Sequence, residues 1–201
     1  DFPAGESESL AEFVGILLGD GGINYGQVGI TLNSEADREY LVFVIGLIKE
    51  LFHFEAPFIK RKDCKANTIY CNGVKFVEYL TRIGLKIGNK VKQQVGVPDW
   101  ICSNMKYKIA CLRGLMDTDG GIFIHKYKEN NKEYKYLKVC FTNRSIPILM
   151  FVNSVLSELG MTPKVRLTKS EKVWLYNQGE VYKYLGVVGT HNPRLLKNLE
   201  E

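Results

Sequence analysis

The sequence predicts an α+β protein built from two similar αββαββα halves, packed against each other through one helix from each. Three observations predict it: a segment repeated 99 residues apart, a stripe of small residues in each copy, and hydrophobic alternation downstream of both. Leu10 to Ile23 and Ile109 to Ile122 share six identities in fourteen positions, among them Gly15/Gly114, Asp20/Asp119 and Gly21/Gly120. Duplication of one unit is the economical source of that match.

Each copy reads as a helix whose small residues recur every fourth position, Ala11, Gly15 and Gly19 in the first and Ala110, Gly114 and Thr118 in the second. A glycine inside a helix costs about 1 kcal/mol against alanine, so the stripe needs a compensating gain. Close approach of the two helix backbones across a pseudo-twofold axis supplies one. Both helices are expected to stop at Gly-Gly, with Gly21 and Gly120 taking a left-handed C-cap conformation. Asp20 and Asp119 then sit at the negative ends of two adjacent helix dipoles, where they repel each other as well. A lone Asp-Gly is usually a solvated turn, but two at matched positions beside matched small faces point to a bound divalent cation.

Downstream of each copy a hairpin, a helix, a second hairpin and a second helix follow. Val28, Ile30 and Leu32 alternate with Gln27, Gly29 and Thr31, as a strand with one buried face does. Ser34 is expected to cap a helix reaching about Phe54, ahead of strands 58–61 and 68–72 and a helix over 75–83. The second half reads as strand 139–142, helix 148–159, strands 164–168 and 173–176, and helix 181–187. Asp20 to Ser34 spans 14 positions and Asp119 to Ser145 spans 26, so the second copy has a hairpin longer by 12 residues, rich in lysine and tyrosine. These boundaries divide the chain into an N-terminal repeat over 8–83, a linker over 84–106 containing Gly88, Gly96 and Pro98, and a C-terminal repeat over 107–201.

Composition is ordinary for a folded chain, with 45% hydrophobic and 24% charged residues, and excludes disorder. Lys and Arg outnumber Asp and Glu by 27 to 22, a mild basic excess compatible with a polyanionic partner. Five scattered cysteines without a C-x-x-C pair suggest neither a disulfide framework nor a zinc knuckle. No apolar run reaches membrane-spanning length and no signal peptide is recognisable, so a soluble intracellular protein is expected. Beginning at Asp1, the chain reads as a trimmed piece or a domain of a longer product. His53, His125 and His191 are far apart and read as ordinary polar residues. Asp117 faces Leu18 in the repeat and is read as structural or solvated.

Phe-Val-Gly-Ile-Leu-Leu-Gly-Asp-Gly at 13–21 and Leu-Arg-Gly-Leu-Met-Asp-Thr-Asp-Gly at 112–120 resemble the two motifs of LAGLIDADG homing endonucleases. Two motifs in one chain imply a monomer whose curved antiparallel sheets form a DNA-binding saddle. The resemblance implies a site-specific endonuclease that hydrolyses both strands of a long, largely asymmetric double-stranded target across the minor groove, leaving short 3′ overhangs. Its cofactor would be Mg²⁺, two or three ions shared by Asp20 and Asp119, with Mn²⁺ or Ca²⁺ able to substitute for binding. Gly88-Asn89-Lys90 and His191-Asn192-Pro193-Arg194 resemble the family positions that bring a basic residue to the site, which nominates Lys90 and Arg194. Asn33 and Asn143 or Arg144, at strand-to-helix junctions, would order solvent nearby.

Base reading would fall to outward strand faces, because a curved sheet fits the major groove. In the first half this nominates Asn24, Gln27, Thr31, Lys60, Lys62, Thr68, Tyr70 and Asn72. In the second it nominates Lys126, Lys128, Tyr136, Lys138, Lys164, Arg166, Trp174 and Tyr176. A one-residue slip in register would exchange reader for core. Two alternatives use the same fold: an RNA maturase assisting intron splicing, and a non-catalytic DNA-binding regulator. Neither needs both aspartates.

Overall fold

The computed structural model describes residues 2–61, 64–168 and 170–199. Helix α1 (Glu8–Gly19) is capped by Ser7, whose Oγ accepts from the Leu10 amide at 3.1 Å. The helix runs straight into β1 (Gly21–Asn24) and β2 (Gln27–Asn33), joined by a tight turn at Tyr25 and Gly26, the latter at φ 78°. Then come α2 (Arg38–Phe52), β3 (Phe58–Lys60), β4 (Ala66–Asn72) and α3 (Val74–Arg82). A short helix α4 (Asp99–Cys102) occupies the segment between the halves.

The second half repeats the plan with α5 (Met105–Asp119), β5 (Gly120–Glu129), β6 (Lys132–Thr142), α6 (Ile146–Glu158), β7 (Lys164–Arg166), β8 (Lys172–Leu175) and α7 (Gln178–Val187). Two antiparallel sheets result, ordered β1-β2-β4-β3 and β5-β6-β8-β7, so the repeat seen in the motifs extends to strand order. The long hairpin is present: β5 and β6 pair over ten positions and close through Asn130 and Asn131, both left-handed, as a two-residue turn requires.

Helices α1 and α5 lie at the centre. A Cβ added to Gly15 would fall on the Cys111 carbonyl, one on Gly114 would fall on the Glu12 carbonyl, and one on Gly19 would fall on the Thr118 hydroxyl. Steric necessity therefore accounts for the small-residue stripe. Around this seam the sheets bury Val28, Ile30 and Ile69 on one side and Val139, Phe141 and Leu175 on the other.

Two local expectations change. Gly120 is extended (φ −99°, ψ 172°), and neither it nor Gly21 has positive φ, so the helices do not end in left-handed caps. Each helix instead passes directly into a strand. A Cβ on Gly21 would lie 2.6 Å from the Leu17 carbonyl oxygen, and one on Gly120 would lie 2.5 Å from that of Met116. Glycine is required there for closeness rather than for handedness. Ser34 does not cap α2: residues 34–37 form a turn organised by Asn33, whose Oδ1 accepts from the Glu35 and Ala36 amides at 2.9 Å each, and the helix starts after Asp37.

Candidate functional site

Because both motif helices end where their strands begin, Asp20 and Asp119 are delivered side by side at the base of the two sheets. Burial pushes the Asp20 carboxyl up to about 7, helped by the charges of Asp119 and Asp37 and opposed by Lys90 and Arg194. Asp119 is also raised by burial, but it accepts a hydrogen bond from Asn143 Nδ2 at 2.8 Å and feels the same two cations, all of which pull it back.

Those cations cap the helices. Lys90 Nζ donates to the carbonyls of Leu17, Leu18 and Gly19 at 3.0, 2.8 and 2.6 Å, neutralising the C-terminal end of α1. Its ammonium is itself lowered to about 8 by burial, against the pull of Asp119 and Asp20. Arg194 performs the equivalent task on α5, reaching the Asp117 carbonyl at 3.1 Å and those of Thr118 and Gly120 at 3.4 Å. Each basic residue follows an asparagine that shapes its turn: Asn89 Oδ1 accepts from the Lys92 amide, and Asn192 Oδ1 from the Arg194 amide.

A cleft of about 220 Å³ opens over this centre, lined by Gly19, Lys90, Asp119, Asn143 and Arg144 among others. Carboxylates, carbonyls and an amide form an oxygen-rich donor set, which suits a hard divalent cation. The mutual charge of Asp20 and Asp119 is the electrostatic need such a cation meets. The two asparagines differ. Asn143 touches Asp119, whereas Asn33 spends its side chain on the 34–37 turn. Arg144 is exposed beside Asn143.

Behind the centre lies a buried polar network that repeat logic does not reveal. Glu12 accepts from Arg113 at 2.9 Å and pairs with His191 Nδ1 at 2.6 Å. Asp117, fully buried, accepts from the Thr190 hydroxyl and from the His191 amide at 2.8 Å. Asn192 Nδ2 donates to Asp37 and to the Asp117 carbonyl. Thus Asp117 is buried and structural, and His191, though exposed, is not incidental: its amide binds Asp117 of α5 and its ring binds Glu12 of α1, while Asn192 binds Asp37 at the start of α2, so the loop 188–194 is tied to the other half. Ligand atoms of Glu12, Asp117 and His191 lie within 4.8 Å of one another. Their oxygens are already occupied by hydrogen-bond donors, so the cluster works as a fastening between halves.

Strand register decides which side chains share a face. On the first sheet Asn24, Gln27, Thr31, Asn33, Thr68, Tyr70 and Asn72 share the outer face, with Gln27 Nε2 donating to Asn72 and the Thr31 and Thr68 hydroxyls in contact at 3.2 Å. Lys60 pairs with Asn67 and belongs to the opposite face; Ile59 and Arg61 fall on the outer one. Lys62 lies outside the described residues.

On the second sheet Tyr136, Lys138, Lys164, Arg166, Trp174 and Tyr176 share the outer face. Trp174 and Tyr176 stack at 5.5 Å, with Lys138 and Arg166 over the Tyr176 ring. Lys126 and Lys128 share parity with the core residues Ile122 and Leu137 and so project from the other side. In their place the outer face carries Phe123, His125, Tyr127, Tyr134 and Lys172. The parity from Ile122 outward was the signal that could have found them.

Among known proteins, residues 106–192 match the family model described as a LAGLIDADG-like domain. The chain is 25% identical over 171 residues to an uncharacterized protein of Methanocaldococcus jannaschii, covering 83% of this chain, and it spans 60% of the length of that relative. The fold matches I-DmoI in complex with DNA and Ca with TM-score 0.63 and 18% identity, over 96% of this chain and 97% of that one. It also matches full-length DUF199/WhiA from Thermatoga maritima with TM-score 0.60 and 14% identity, over 100% of this chain and 60% of that one. No helix among the described residues is long and apolar enough to cross a membrane.

Proposed function

Starting from a chain that carries a LAGLIDADG-like domain over residues 106–192 and shows the LAGLIDADG fold in both halves, we propose that it is a monomeric, divalent-metal-dependent DNA endonuclease. Its substrate is a long, asymmetric double-stranded site, both strands of which it cuts to leave short 3′ overhangs. The observation that carries this reading is the adjacent, partly buried pair Asp20 and Asp119, placed at two helix C-termini with one cation serving each helix. Two adjacent carboxylates that repel each other need a compensating positive charge, which a divalent cation supplies.

Mg²⁺ fits the oxygen donors, with Mn²⁺ or Ca²⁺ able to replace it for binding; when bound it would supply an activated water and charge compensation at the phosphate. The chain's own residues do the rest. Asp20 and Asp119 would hold the cations and present one carboxylate toward each strand. Lys90 and Arg194, already neutralising carbonyl dipoles, offset charge growing on the scissile phosphates. Asn143 keeps Asp119 oriented. The amide- and hydroxyl-bearing face of the first sheet and the aromatic, basic face of the second supply base and phosphate contacts of different kinds, which suits an asymmetric target.

Cleavage of a large randomised duplex library with Mg²⁺ and with EDTA, by the wild type and by Asp20→Asn and Asp119→Asn, tests the reading. A single long site should be cut only with metal, and both variants should lose cutting by at least about a thousandfold while retaining affinity. A wild type that enriches one bound sequence and never cuts it would make the protein a DNA binder.

A further inference from the structure

One buried carboxylate, Asp37, has so far entered only through its charge on Asp20 and its bond from Asn192. Asp37 stands at the N-cap of α2, where an aspartate ordinarily accepts from the helix's own first amides, yet its side chain makes no capping bond. It is 8% exposed, and both oxygens are used elsewhere. Oδ1 accepts from Arg194 Nε and from Asn192 Nδ2, each at 2.8 Å, and Oδ2 accepts from the Asn33 amide at 3.1 Å.

Resting on the endonuclease reading above, we propose that Asp37 is a positioning residue that sets the Arg194 guanidinium for one strand's cleavage. A guanidinium is planar and rigid, so fixing Nε fixes where the two terminal nitrogens point. With Nε held by Asp37, those nitrogens rest on the Asp117, Thr118 and Gly120 carbonyls, beside Asp119. The contact crosses the halves, because Asp37 belongs to the first and Arg194 to the second. Docking of the halves is thereby a condition for a correctly aimed Arg194.

The arrangement has no mirror image. Asn143 corresponds to Asn33, and four residues on from Asn143 stands Pro147, in the first turn of α6, which offers no side-chain acceptor. Among the described residues Lys90 accordingly has only carbonyl partners. Two half-sites of one enzyme thus hold their basic residues by different means, and loss of Asp37 should disable one of them selectively.

The test uses the full chain with its target duplex, each strand carrying its own end label, under single-turnover conditions. Asp37→Asn should slow cutting of one strand by about tenfold, leave the other within about twofold, and accumulate nicked DNA, with affinity and Tm near wild type. Asp37→Glu should restore part of the lost rate. Arg194→Lys, which keeps the charge and loses Nε, should slow the same strand, and adding Asp37→Asn to it should cost nothing further. In parallel, the Arg194 Nε–H resonance, assigned by its absence in Arg194→Lys, should be protected from solvent exchange in the wild type and exposed in Asp37→Asn. Equal slowing of both strands, no slowing, or an unchanged Nε–H signal would overturn the proposal. A wild type that fails to cut sinks the endonuclease reading instead, and the Nε–H signal still decides whether Asp37 holds Arg194.

Discussion

The Asp20 carboxylate ionises against two forces at once, burial and the charges of Asp119 and Asp37, which Lys90 and Arg194 offset only in part. Its folded pKa, about 7 against the ordinary 3.8, is therefore raised. A raised pKa means that Asp20 favours the fold fully at pH below 3.8 and that this contribution is lost as pH climbs to about 7. In metal-free protein Asp20→Asn should accordingly melt higher than wild type at pH 8, by on the order of 5 °C, and the difference should vanish near pH 4. Calorimetry in EDTA checks it, and saturating Mg²⁺ should stabilise the wild type more than the variant. The two motif aspartates were legible because each repeats the other. Asp37, Glu12 and Asp117 were not, since their counterparts are Pro147, Cys111 and Leu18, and an unpaired acid in a repeat leaves no mark in self-comparison.

At the level of elements, α1 and α5 show how a rule of helix propensity inverts under packing. Gly46 of α2 has nothing within 4 Å of an added Cβ, so Gly46→Ala should stabilise by about 0.5–1 kcal/mol. Gly15→Ala makes the same chemical change in α1 but drives a methyl into the Cys111 carbonyl, and should destabilise by about 2–4 kcal/mol. Urea unfolding of the two variants side by side measures both; equal effects would mean that the seam can open without strain. The stripe could be read from the sequence, since spacing alone places it on one face. The exit from each helix could not: Gly-Gly fits a left-handed cap and a direct helix-to-strand turn equally well, and only the crowding against the Leu17 and Met116 backbones selects the second.

For the molecule as a whole, the consequence is asymmetry built on a symmetric plan. The β5–β6 hairpin projects past the core, with every residue from His125 to Tyr136 exposed except the half-buried Tyr134. Replacing Tyr127–Tyr134 by Asn-Gly rejoins the paired Lys126 and Lys135 through a two-residue turn. This shortened protein should keep its Tm within a few degrees, lose DNA affinity, and flatten the dependence of log K on log salt by about 1, for Lys132, which pairs with Glu129 on the outer face, withdrawn from phosphate. An unchanged salt slope would remove the hairpin from the interface.

Duplication, two paired aspartates, antiparallel hairpins and the unequal hairpin lengths all follow from local spacing, because periodicity and repeat comparison need no partner to be known. The diversion of Asp37 from α2 to Arg194 and the fastening of loop 188–194 onto Glu12 do not follow from it. Each depends on residues brought together from up to 179 positions apart, as His191 and Glu12 are. Burial then gives those contacts energies that no short window of sequence contains.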